Sequence, residues 1–155
     1  MRKVLLSLFI LFSAHATYSQ DQVFMRMLEN KILCKEDRLV NFLETNSFVR
    51  DHRTFHREYS YNAQLYFTDI VYDNECYALY RTNSKREYMA IQKNISGLCD
   101  KELGPKNGVY YSCNIRSVYG VQVVLSGYQS RSEAYEIKIY QNPGWEENSY
   151  PLGNK

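Results

Sequence analysis

The sequence predicts an α+β domain: two helices packed on one face of an antiparallel sheet of about six strands, in the order helix, three strands, helix, three strands. Three observations predict it. Residues 22–45 and 84–101 carry apolar side chains at helical spacing. Residues 55–81 and 109–140 are rich in β-branched and aromatic residues and are broken by Asn, Asp and Gly. Four cysteines, Cys34, Cys76, Cys99 and Cys113, are spread across both kinds of segment.

The N-terminal residues stand apart from this plan. Arg2 and Lys3 precede an apolar run, Val4 to Phe12, and Ala14-His15-Ala16 fits the small-x-small rule of signal peptidase. The run is too short to cross a hydrocarbon core of ~30 Å as a helix. Residues 1–20 are therefore expected to be a secretory signal, cleaved after Ala16 or Gln20. Residues 21–142 then form one α+β domain, and 143–155 an irregular tail. The expected location is periplasmic or extracellular, with no stable membrane anchor after cleavage.

Cleavage also changes the charge. The chain has 19 basic and 17 acidic residues, and the signal removes Arg2 and Lys3 but no acid, leaving 17 of each sign. A formally neutral chain has no electrostatic footprint for nucleic acid. An even number of cysteines in an exported chain points to two disulfides, for which three connectivities exist. No spacing is CxxC, so a zinc knuckle or a thioredoxin-like site is not expected.

In chain order, Phe24, Leu28, Ile32, Leu39 and Leu43 form the stripe of the first helix. It runs unbroken to Asn46-Ser47, or it divides near Cys34-Lys35, where Glu36-Asp37 would place acids at the positive end of a second helix. Residues 50–54 are a polar connection. Strands follow at 55–61, 64–72 and 76–81, with Asn62-Ala63 and Asp73-Asn74 as turns. These strands are bulky on both faces. Ser84 and Glu87 have capping-box spacing at the start of the second helix, and Tyr88, Ile91, Ile95 and Leu98 share its apolar face. The run from Leu103 to Gly108 ends that helix. The later strands, 109–116, 119–125 and 135–140, alternate cleanly between apolar and polar. An offset of 60 matches Tyr59, Leu65 and Tyr80 with Tyr119, Leu125 and Tyr140, a hint of duplication.

Cys99 ends the second helix, and Cys113 lies on the next strand after a chain reversal. These two are expected to pair, leaving Cys34 to clamp the first helix to Cys76 on the sheet. Gln122–Gly127 and Pro143-Gly144-Trp145 resemble the Q-x-V-x-G turn and late Pro-Trp pair of cystatins. Each is longer by one residue. The first is expected as strand running into loop, and protease inhibition is not carried over.

Residues for chemistry are sparse. His52 and His56 would share a metal on a helix, but in a strand they stand ~13 Å apart. No metal or cofactor is expected. The sequence holds no G-x-S-x-G, no H-E-x-x-H and no phosphate-cradling glycine loop. Asp69, Asp73 and Glu75 read as solvated acids at turns and strand ends. What remains is tyrosine, whose apolar body and polar tip suit recognition surfaces. Tyr59, Tyr61, Tyr66, Tyr72 and Tyr77 are the candidate binding residues. The expected function is a non-enzymatic module binding a protein partner, such as an inhibitor or immunity protein against a secreted toxin or hydrolase. A small envelope hydrolase using carboxylates, or a carbohydrate-binding module using an aromatic sheet face, are the alternatives.

Overall fold

The computed structural model of the chain describes residues 20–30, 32–73, 76–103, 109–113 and 120–141, with the backbone alone at 20, 21, 102, 103, 109, 110, 112 and 113. The expected signal, apart from Gln20, and the expected tail lie outside the described residues. The first helical stretch takes the divided form, as α1 (Gln20–Glu29) and α2 (Glu36–Thr45). A disulfide from Cys34 to Cys76 and a hydrogen bond from the Leu33 N–H to Gln141 Oε1 (3.2 Å) hold the chain between them. Glu36 and Asp37 occupy the first turn of α2, where acids favour the dipole. Asn46 ends α2 as predicted: its Nδ2 donates to the Phe42 carbonyl (2.7 Å), and Ser47 turns left-handed at φ 67.

The polar connection is not a loop. Its residues form a short hairpin of β1 (Val49–Asp51) and β2 (Thr54–Tyr61), with His52 left-handed at φ 53 in the turn. The remaining first-half strands are β3 (Gln64–Asp73) and β4 (Tyr77–Thr82). The second helix, α3 (Lys85–Leu98), stops short of Lys101 because Cys99 is extended (φ −128, ψ 147) and disulfide-bonded. Strand β5 (Asp100–Leu103) starts at once, followed by β6 (Val109–Cys113), β7 (Val121–Gln129) and β8 (Ala134–Gln141). The expected Cys113 partner of Cys99 has its side chain outside the described residues. The backbone sets Asp100 opposite Ser112, so the next rung brings 99 and 113 together.

The class is α+β with one antiparallel sheet, and the strands number eight, in the order β1-β2-β3-β4-β8-β7-β6-β5. The two unforeseen strands, β1 and β5, are its edges. Both are short and charged, which discourages pairing with a further chain. β7 runs on through the predicted loop by a bulge, pairing Leu125 with Ile137 and Gly127 (φ 71) with Glu136.

The helix contacts fall on one face of the sheet. Phe24 of α1 meets Tyr80 edge-on with ring centroids 5.1 Å apart, and Tyr88 of α3 stacks on Tyr135 at 4.9 Å. Register puts Phe55, Ile70, Tyr80 and Ile137 side by side on this face, all fully buried. Burial contributes about 1.5–3 kcal/mol for each such large apolar side chain. The opposite face carries Phe67, Val71, Tyr77, Leu79 and Tyr140 among charged residues.

The first half is two helices and the second one helix, each followed by a four-stranded meander, and the halves meet at the β4–β8 ladder. The offset of 60 nevertheless pairs the wrong residues. It lays buried, inward Tyr80 on Tyr140, which points outward and is 44% exposed. Between β4 and β8 an odd shift is needed to keep faces, because side chains alternate along a strand.

The β2–β3 turn sits where Asn62-Ala63 predicts it, with φ 50 and φ 60 at the two central residues. Two consecutive left-handed residues favour glycine at the second. Ala63→Gly is expected to stabilise the protein by about 0.5–1 kcal/mol in urea unfolding. A lower midpoint in the variant would count against this turn geometry.

Candidate protein-binding site

The β2–β3 hairpin projects its tip beside the start of α3. Register places Tyr59 across from Tyr66 and Tyr61 across from Gln64. The Tyr59 and Tyr66 rings stack at 5.4 Å with planes 23° apart. The Tyr66 hydroxyl donates to Gln64 Oε1 at 2.5 Å. The Arg86 guanidinium of α3 lies 4.4 Å from the centre of the Tyr61 ring, a cation–π contact. Tyr61 is 47% exposed and Leu65, on the opposite face of the tip, 62%.

Beneath this tip lies a buried carboxylate. Ser84 caps α3 by accepting from the Glu87 N–H (3.3 Å). The reciprocal half of the capping box is absent: the Ser84 N–H donates instead to Thr82 Oγ1 (3.1 Å), and the Glu87 side chain turns into the core. There Tyr59 donates to Oε2 (2.8 Å), Thr82 to Oε2 (3.1 Å), Thr68 to Oε1 (3.2 Å), and Tyr80 to Oε1 through a short bond.

Desolvation raises the Glu87 pKa, and the four hydroxyls, led by Tyr80, pull against that rise. Desolvation and the Glu87 charge together push the Tyr59 and Tyr80 phenols above their ordinary range, so both remain donors. Arg57, on the same face, feels the opposing pulls of burial, which lowers its pKa, and of Tyr80 and Glu87, which raise it. Glu87 is 5% exposed and both its oxygens are engaged. It is built to hold neighbours in place, with Tyr59 the link from core to hairpin.

Of the five tyrosines, Tyr59, Tyr61 and Tyr66 are gathered at the tip. Tyr72 is 5% exposed and points inward at the far end of β3, in the core, because its even position shares the helix-covered face with Ile70. Tyr77 lies on the open face, paired with Tyr140 at 4.9 Å. Asp69 is engaged by His56 Nδ1 (2.6 Å), which with Glu58 nearby raises the His56 pKa. Asp73 faces Arg53 at 3.8 Å, and Glu75 lies outside the described residues. Among the described residues no group of three His, Cys, Asp or Glu side chains is arranged to hold a metal ion.

Sequence reasoning missed Glu87, Arg86 and Leu65. The capping-box spacing gave Glu87 only the role of partner to Ser84 at the helix start. The contrary signal was the polar trio Thr68, Tyr80 and Thr82 at inward strand positions, which needs an acceptor. Compared with known proteins, the chain matches no family model, no curated protein and no solved structure.

Proposed function

We propose that this protein is an exported, non-enzymatic module that binds a partner protein through the tip of its β2–β3 hairpin. An inhibitor or immunity protein acting on a secreted toxin or hydrolase fits this reading. The observation that carries it is the aromatic cluster of exposed Tyr61 and half-buried Tyr59 and Tyr66, tied through Tyr59 to a buried carboxylate. Ordered tyrosines with little rotamer entropy left to lose are good anchors for an interface. The Cys34–Cys76 disulfide agrees with an oxidising compartment. Among the described residues no helix is long and apolar enough to cross a membrane.

The test is affinity capture from extracts of the source cells and their medium, followed by titration of the captured protein. Tyr61→Ala with Tyr66→Ala is expected to weaken binding by about tenfold to thirtyfold at unchanged melting temperature. Tyr77→Ala with Tyr140→Ala, on the open sheet face, is expected to leave it unchanged. Capture that yields no saturable partner, or equal affinity for the hairpin variant, would overturn the proposal.

A further inference from the structure

The solvent side of α3 beside the hairpin carries one sign of charge. Lys85, Arg86, Met89 and Lys93 are all exposed. Lys85, Met89 and Lys93 follow one another at four-residue steps along one stripe, with Arg86 three residues before Met89. The helix has a single acid, Glu87, and the core has taken it. The adjoining hairpin, residues 59–66, contains no ionisable group except tyrosine. In the described structure none of the three cations is in an ion pair. Lys85 and Arg86 also stand in the first turn of α3, at the positive end of its dipole, where cations are disfavoured. The dipole rule is broken here with only the Tyr61–Arg86 contact as a local return, in a chain that carries 17 charges of each sign once Arg2 and Lys3 are set aside.

We infer that the hairpin tip and the exposed stripe of α3 form one docking surface for an acidic segment of a partner protein. The inference rests on the protein-binding reading above and names the partner's chemistry. Tyr61 holds the Arg86 guanidinium in place, so less freedom is lost when Arg86 pairs with a carboxylate. Lys85 and Lys93 extend the positive field along the helix and would speed encounter with an anionic face. Met89 (51% exposed) offers an adaptable apolar contact between them.

The test uses the full chain and its triple variant Lys85→Glu, Arg86→Glu, Lys93→Glu, with the matching glutamine variant as a milder control. Both are compared with wild type by melting temperature. Fluorescent oligoglutamate, oligoglutamine and oligolysine peptides are titrated, with heparin as an anion that is not a protein. Expected are salt-sensitive binding of oligoglutamate alone among the peptides, and a loss of more than about tenfold in the glutamate variant, with a smaller loss in the glutamine variant. Equal oligoglutamate binding by wild type and the charge-reversed chain overturns the inference, as does binding of heparin without oligoglutamate. The captured partner separates this failure from that of the parent reading. A partner sensitive to Tyr61→Ala with Tyr66→Ala but indifferent to charge reversal leaves the hairpin in place and sinks the acidic segment.

Discussion

Replacing Cys34 and Cys76 together by alanine is expected to lower the unfolding free energy by about 4 kcal/mol and the melting temperature by roughly 12–20 °C. The bond joins residues 42 apart in sequence and 4.4 Å apart between Cα atoms. The loop it closes contains all of α2, β1, β2 and β3, so the unfolded chain loses much freedom when the bond is present. In the folded protein the bond ties the α1–α2 junction to the turn before β4, where Cys76 is left-handed at φ 62. Gln141, whose Oε1 accepts from the Leu33 N–H, holds the same junction from β8. Urea unfolding of the variant should show a lower midpoint. Wild type that melts alike with and without reductant would remove the disulfide from the account of stability.

Glu87→Ala is expected to cost about 3–5 kcal/mol, since it strands the buried hydroxyls of Tyr80 and Thr68 without their acceptor, while Thr82 keeps the Phe67 carbonyl. Glu87→Gln should cost far less, because a hydroxyl can rotate to accept from the new amide. The pH dependence follows from the direction of the pKa shift. The folded protein holds the Glu87 proton above its ordinary value of 4.5, so the stability this group contributes is complete below that pH. It is lost as pH rises through the folded pKa, where the unfolded state has already released its proton. The deficit of Glu87→Gln relative to wild type should therefore shrink from acid to neutral pH. A deficit that grows over that range would refute the assignment. Amide exchange offers a second readout: in Glu87→Ala the hairpin at 59–66 should lose protection more than the β7–β8 ladder, because Tyr59 loses its tie to the core.

The positions of the helices and most strands were legible because periodicity is local. Leu39 and Leu43 recur at helical spacing, and Tyr135, Ile137 and Ile139 at strand spacing, whatever lies across from them. The Asn62-Ala63 turn and the Ser84 cap were legible for the same reason: each is set within four residues. The edge strands were not, since Asp100 to Leu103 is polar and charged, and becomes strand through pairing with β6. Bulk on both faces of β2 to β4 was visible, but which tyrosine was surplus was not. Tyr72 and Tyr77 differ only in the parity of their places on the sheet, and one is in the core while the other is on the open face.

The sequence by itself determined the α+β class, the Asn62-Ala63 turn and the concentration of tyrosine in one hairpin region, because these depend on neighbours in the chain; it left the break near Cys34 as one of two forms. Tertiary structure alone decided that Tyr59, Tyr61 and Tyr66 gather while Tyr72 and Tyr77 do not, and that Glu87 leaves its capping position for the core. Burial is the reason. A carboxylate or a phenol is placed by hydrogen-bond partners from distant strands, and no local pattern records which face of the sheet the helices will cover.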